Sequence, residues 1–283
     1  LLAYYGKLDL LSYDRVNITG GLRWEDNDQR VNTFLNGQPT TARLNRVDML
    51  PSAVATVFLT DKQQLRAGFS QTLSRPDFRE LSSAPFFDMN TNQETVGNPQ
   101  LKQTAITNWD LRWEYYLSPT ENIFAGFFWK DLTNPIELVA QPGSGALNTY
   151  QNVDTATVYG FEWEILKKLD FVHPLLENFY VGGNYTWSQS NVKLTAQNLI
   201  AQTTNNRPLQ GHSEHIVNFQ LGYDNPKWKT QATLLYNISS ERIVAAGRQQ
   251  IPDKYEQPYH QLDFVVSQNL YKGLSAQLSA QNL

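Results

Sequence analysis

Apolar and polar residues alternate with a period of two along almost the whole chain, and the three-to-four-residue spacing of an amphipathic helix is nearly absent. In residues 15–25, RVNITGGLRWE, the apolar positions are Val16, Ile18, Leu22 and Trp24, and the polar ones are Asn17, Thr19, Arg23 and Glu25. Successive side chains of a strand point to opposite faces, so this pattern predicts a strand with one apolar and one hydrated face. It returns in Ala53, Ala55, Val57 and Leu59, and in Leu65, Ala67 and Phe69 set between Gln64, Arg66 and Ser70. The clearest case is Trp109, Leu111, Trp113 and Tyr115 against Asn108, Asp110, Arg112 and Glu114. Similar apolar faces follow at Tyr159, Phe161, Trp163 and Ile165 opposite Glu162 and Glu164, then at Phe179, Val181, Tyr185 and Trp187. Val217, Phe219, Leu221 and Tyr223, then Leu262, Phe264 and Val266, and finally Leu274, Ala276, Leu278 and Ala280 complete the series. The reading is all-β, with about twelve strands.

The connections alternate in length. Short turns fall near residues 12–14, 61–63, 118–121, 224–227 and 271–273, rich in the Asp, Asn, Pro and Gly that turns use, and one of this set, 168–178, is longer. Long connections lie between them at 27–44, 74–103, 131–156, 188–213 and 239–259. Short and long connections in strict alternation, with strands of about ten residues or more, predict an antiparallel up-and-down transmembrane β-barrel. A barrel in lipid places aromatic rings at both interfaces. Trp113, Tyr115, Trp163, Phe179 and Tyr223 lie toward the short turns, and Trp24, Trp129, Trp187 and Tyr236 toward the long loops. Eight residues separate Phe179 from Trp187, which at roughly 3.3 Å per residue and about 40° of tilt spans on the order of 20 Å of membrane. The polar positions Arg66, Asn108, Asp110, Arg112, Glu114, Glu162 and Glu164 then line the lumen.

Composition narrows the chemistry. The 283 residues carry a net charge of -4 with no lysine-arginine block, so a nucleic-acid partner is not expected. Cysteine is absent, which excludes disulfides, thiolate metal sites and cysteine nucleophiles. No apolar run approaches the roughly 18 residues of a membrane helix. The start at Leu1 and the end at SAQNL suggest a segment of something longer. The sole histidine pair, His212 and His215 in HSEH, would point to opposite faces of an extended segment, which argues against a shared metal. No nucleophile elbow, phosphate loop, dinucleotide fingerprint or fixed carboxylate pair is present, so neither an enzyme nor a cofactor or resident metal is expected. Phe78, Phe86, Phe87 and Tyr150 are loop aromatics that either contact a ligand or pack the loops together.

Four stretches, residues 48–81, 97–137, 158–164 (VYGFEWE) and 209–226 (LQGHSEHIVNFQLGYDNP), taken in order, resemble the β-barrel of the TonB-dependent outer-membrane receptor family. Residues 48–81, DMLPSAVATVFLTDKQQLRAGFSQTLSRPDFREL, resemble the family's strand-turn-strand unit that ends in Arg-Pro-Asp-Phe before a long extracellular loop. GNPQLKQTAITNWDLRWEYYLSPTENIFAGFFWKDLTNPIE, VYGFEWE and LQGHSEHIVNFQLGYDNP continue the likeness, which covers about residues 48–283. The resemblance implies roughly the C-terminal half of a 22-stranded barrel, so residues 1–283 are read as one partial barrel domain, with the family's plug, TonB box and aromatic terminus outside it. It also implies contact with outer-membrane lipid, coupling to the TonB energy-transducing complex through that plug, and import of a scarce nutrient. A siderophore, cobalamin, an oligosaccharide or a peptide would each serve. A passive porin-like or structural barrel and a soluble all-β carbohydrate-binding protein stand as alternatives. In this reading Arg75, Pro76, Asp77, Phe78, Arg79 and Glu80 form a loop root, where proline ends the ladder and the charged residues fasten the loop.

Overall fold

A computed structural model describes residues 1–35, 37–89, 93–140, 147–194, 204, 206–247, 251–271 and 273–283. Parts of the expected long connections, 36, 90–92, 141–146, 195–203, 205 and 248–250, and residue 272 of the expected last short turn lie outside the described residues. The chain begins with β1 (Leu2–Tyr13), β2 (Val16–Leu35), β3 (Gln38–Thr60) and β4 (Gln63–Ser74). A four-residue helix α1 (Phe78–Leu81) and the short strands β5 (Pro85–Asp88) and β6 (Gln93–Val96) follow. Next come β7 (Thr104–Ser118), β8 (Glu121–Thr133), β9 (Ile136–Ala140) and β10 (Leu147–Asn152). β11 (Thr155–Lys168), β12 (Phe179–Lys193), β13 (His215–Asn225) and β14 (Thr230–Ser239) continue the wall. The chain closes with β15 (Arg242–Ala245), β16 (Lys254–Glu256), β17 (Tyr259–Tyr271) and β18 (Leu274–Ala280).

Twelve strands form one antiparallel sheet in the order β1-β2-β3-β4-β7-β8-β11-β12-β13-β14-β17-β18. With the loop strands set aside, each strand pairs with its neighbour in sequence, which is the up-and-down meander that the alternation predicts. β1 and β18 are the two edges, and the sheet does not close on itself. Register carries the alternation from strand to strand. Ala67 faces Leu111, which faces Phe127, then Phe161, then Trp187. On the other surface Arg66 faces Arg112, which faces Gly126, then Glu162, then Thr186. The first surface exposes Trp109, Leu111, Phe161, Trp163, Phe219 and Leu221. An apolar band of that extent is costly in water and suited to lipid, so this is the membrane face and the polar one is the lumenal face.

The apolar core lies elsewhere. Leu81, Leu101 and Ala42 form one buried cluster, and Val153, Ala156, Val192 and Leu194 form another, both at the long-loop end of the wall. Val139, Ala140, Ile243, Ala245 and Ala246 are also buried there. A one-layer wall between lipid and lumen has no interior of its own. The long loops supply one by folding into a cap. Its sheets are a four-stranded β5-β6-β10-β9 and a two-stranded β15-β16.

One expectation fails in an instructive way. Residues 27–44, expected to be a loop, are mostly strand: β2 and β3 stay paired from Val16 opposite Val57 to Leu35 opposite Gln38. The Asn-Gly pair at 36–37 is the short-range signal for a two-residue hairpin, and Gly37 takes the positive φ of 78° that such a turn requires.

Candidate functional site

The root of the first capped loop is built outward from β4. Pro76 is fully buried just past the strand end, where it has no N–H to leave unpaired, and Gln29 on β2 donates to its carbonyl at 2.8 Å. Asp77 then caps α1: its side chain accepts from the Glu80 N–H at 2.7 Å, and the Glu80 carboxylate accepts from the Asp77 N–H at 2.9 Å. That reciprocal pair is a capping box, and it makes so short a helix possible. Burial pushes the Glu80 carboxyl above its ordinary range, against the pull of the Asp77 N–H. The Glu80 carbonyl also accepts from Asn98 N at 2.6 Å. The chain passes there at Gly97, where a Cβ would collide with the carbonyl oxygens of Arg79, Glu80 and Ser82. Arg79 lies over the Phe86 ring at 5.5 Å, while Phe78 and Phe87 stay exposed. Tyr150 packs against the cluster of Leu81, Leu101 and Ala42.

Arg75 faces the other way. Its Nη2 donates to Glu25 on β2 at 2.7 Å and to Asp48 on β3 at 3.4 Å, with little solvent on any of the three side chains. Arg23 adds a second cation to Glu25 at 2.5 Å, and Gln103 donates to Asp48 at 2.6 Å. The four residues Arg75, Asp77, Arg79 and Glu80 thus split their work. Arg75 ties together the strands beside the loop, Asp77 and Glu80 hold its first helix, and Arg79 touches an aromatic ring.

Lower on the lumenal wall the structure brings four of the expected lumenal residues into one network. Glu114 is buried, accepts from Gln64 and from the Tyr116 hydroxyl at 2.9 Å, and lies 3.3 Å from Arg112 and 3.9 Å from Arg66. Arg112 reaches on to Glu164 at 3.4 Å and covers the Phe124 ring at 4.3 Å. Asn108 stands apart, donating to Ser70 and Thr72 and accepting from Lys130 at 3.2 Å. Asp110 shares the wall beside Gly68, and Glu162 lines the hollow next to Arg112 without joining the network.

Around the curve, charge gives way to carboxamides. Asn184 faces Asn218, which faces Asn237, which faces Gln261. Asn218 donates to Asn184 at 2.7 Å and Asn237 donates to Asn218, so the amides bond in series. They line a hollow of about 470 Å³ with Gln220, Glu164 and Asp263. Nothing in the sequence joins these residues except their place on the polar side of four strands.

The cap is locked by a pair that sequence reasoning did not find. Glu137 on β9 and Arg207 are almost wholly removed from solvent and meet through two bonds, of 2.8 and 2.6 Å. Burial disfavours a free Arg207 cation, but the Glu137 carboxylate outweighs it and raises the guanidinium pKa. The Gln210 N–H also points to Glu137, and its side chain bridges the Leu138 N–H and the Val244 carbonyl. Val139 pairs with Ala246, so three long loops meet at one point.

His212 and His215 do face opposite ways. His212 Nε2 meets Ser188 Oγ at 2.8 Å on the inner side, and burial lowers its pKa against the opposing effect of Glu214. His215 stacks on Tyr185 and bonds its hydroxyl at 2.8 Å. Among the described residues no cluster of acidic or histidine side chains is disposed to hold a metal.

The nine expected interface aromatics all lie on the membrane face. Trp24 packs on Tyr4, Trp113 on Tyr115, and Tyr223 on Phe179. Trp129 stacks on Tyr159, which touches Trp187. Phe161 contacts both Trp163 and Trp187, so these two share one patch although they were assigned to different ends of the wall.

Comparison with known proteins agrees with this geometry. The family model described as TonB dependent receptor-like, beta-barrel, matches residues 3–283. Among solved structures, the copper transporter OprC is 18% identical with a TM-score of 0.69, covering 99% of this chain and 42% of its own. The ferric-catecholate import receptor Fiu of E. coli K12 is 16% identical with a TM-score of 0.67, covering 99% and 40%. A variant of the ferric enterobactin receptor PfeA of Pseudomonas aeruginosa, in complex with enterobactin, is 16% identical with a TM-score of 0.62, covering 99% and 39%. The chain therefore spans about two fifths of the length of these structures. No curated protein matches the chain.

Proposed function

The chain belongs to the TonB-dependent receptor β-barrel family, and from that membership we propose that it forms part of the wall and cap of an outer-membrane active importer. The barrel sits in the bacterial outer membrane, as its family does. Residues 1–283 are taken as one continuous part of a 22-stranded barrel whose plug lies in another part of the protein. The cargo is a scarce small-molecule or oligomeric nutrient, captured by the cap and released inward when the TonB complex acts on the plug. One observation carries the reading: an apolar outer surface, a polar inner wall with charges of both signs, and an ordered cap of long loops occur together on a single sheet. An open porin has need of the first two but not of loops locked by a buried ion pair. The lumenal residues Arg66, Arg112, Glu114 and Glu164 serve as contacts for the plug or for passing cargo. Asn108, Asp110 and Glu162 extend that surface.

Single-channel conductance of the full-length protein in planar bilayers tests this. A plugged importer shows no stable open conductance until the plug is removed or loosened by denaturant. A steady, wide conductance from the untreated protein would favour the passive porin and overturn the proposal.

A further inference from the structure

The connection between β11 and β12 is out of proportion to its neighbours on the same end of the wall. Two residues join β1 to β2, β3 to β4 and β7 to β8, whereas residues 169–178 make ten, with a short 3-10 turn at Pro174–Leu176. Three large apolar side chains of this connection are bare: Phe171 is 67% exposed, Val172 61% and Leu175 81%. Exposed apolar groups on a ten-residue turn are unfavourable in water.

Their side of the wall is identifiable. Lys167 shares the membrane face with Ile165 and Trp163, two and four residues before it along β11. Its ammonium pairs with Glu121 at 2.5 Å, and the Phe171 ring lies 5.4 Å from the same nitrogen. Phe171 thus covers an ion pair on the lipid-facing edge and extends the apolar band rather than the lumen. The next turns along the rim repeat the character, with Trp228 71% and Tyr271 70% exposed. Lysine stems lying along apolar surface with aromatic rings beside them are the arrangement that interfacial anchors use.

We propose that residues 169–178 are a foot that inserts Phe171, Val172 and Leu175 into the headgroup region of the periplasmic leaflet. The occupant is phospholipid, because the Phe171 ring lies against Lys167, which shares the lipid-facing side of β11 with Ile165 and Trp163. The foot fixes the depth of the β11–β12 hairpin and shields the Glu121–Lys167 pair from water.

Residues 1–283 contain no cysteine, and any cysteine elsewhere in the full-length protein is replaced by serine before labelling. Leu175→Cys and, separately, Val172→Cys are introduced into the full-length protein, spin-labelled, and reconstituted into liposomes with no other protein present. Collision with oxygen and with a water-soluble nickel chelate is then measured. Phe219→Cys on the membrane face and Asp61→Cys in a two-residue turn set the scale. The foot labels are expected to fall between the two references, with oxygen access raised and chelate access cut several-fold relative to Asp61→Cys. If both foot labels match Asp61→Cys, the segment stands in water and the proposal fails, leaving a protein-docking role for the patch. This outcome does not depend on whether the barrel imports a nutrient.

Discussion

Replacing Glu137 by alanine should open the cap without harming the wall. The pair it forms with Arg207 has two short bonds, and the side chains are 0% and 2% exposed. Breaking one partner of a buried pair costs about 3–5 kcal/mol, because the other charge is stranded away from water. Each 1.4 kcal/mol is tenfold, so local opening should become roughly a hundred to a few thousand times more frequent. The affected backbone is defined: Ala140 N bonds the Ala246 carbonyl at 3.0 Å, and Ala246 N bonds the Leu138 carbonyl at 3.0 Å. Hydrogen exchange followed by mass spectrometry should show peptides around 136–140, 207–211 and 242–247 losing protection together, while β7 and β11 keep theirs. The paired replacement Glu137→Leu with Arg207→Leu should recover much of the protection, since no charge is then left buried. If Glu137→Ala exchanges like the parent at all three places, the pair does not hold the loops together.

Three further outcomes follow from the same geometry. Arg75→Ala leaves Asp48 facing Glu25, with Arg23 bonded to Glu25 and Gln103 to Asp48, and should lower stability by about 1–3 kcal/mol; a lower thermal midpoint and faster protease cleavage in 74–103 would show it, and Arg75→Lys should fall between. Gly160→Ala places a methyl against the Trp187 carbonyl oxygen between β11 and β12, so denaturant titration should reveal a loss of about 1–3 kcal/mol, and an unchanged midpoint would contradict the packing described. Because burial holds the His212 pKa below its unfolded value of about 6.5, the unfolded chain takes up the proton first as pH falls. The stability that neutral His212 contributes is therefore full above that value and lost below it. The parent should lose more thermal stability than His212→Gln between pH 7.5 and 5, and equal losses would refute the assignment.

The wall was legible because period-two alternation is a local property that a lipid-facing strand must display along its whole length. Residues 109–115 could be placed on their two faces with no knowledge of any partner. The hairpin at 27–44 was equally local, yet its many polar residues resembled loop chemistry more than strand. Both faces of β2 and β3 stand beyond the membrane there, so no apolar face is required. The contacts of Arg75 were not legible, since Glu25 and Asp48 lie 50 and 27 residues away and become neighbours only through the register of β2, β3 and β4. Glu137 and Arg207 are 70 apart, one inside the apolar run IELVA and the other in the polar run TTNNRPLQ. A buried ion pair in a loop leaves no periodic trace.

Import energised through the plug is the central claim, and uptake by living cells addresses it most directly. Cells that express the full-length protein under nutrient limitation are offered radiolabelled ferric chelates, cobalamin and oligosaccharides in turn, with and without an uncoupler of the proton-motive force. One of these cargoes should accumulate against its gradient, and accumulation should collapse with the uncoupler or with loss of TonB while surface binding persists. Uptake that proceeds equally in uncoupled cells would contradict the account.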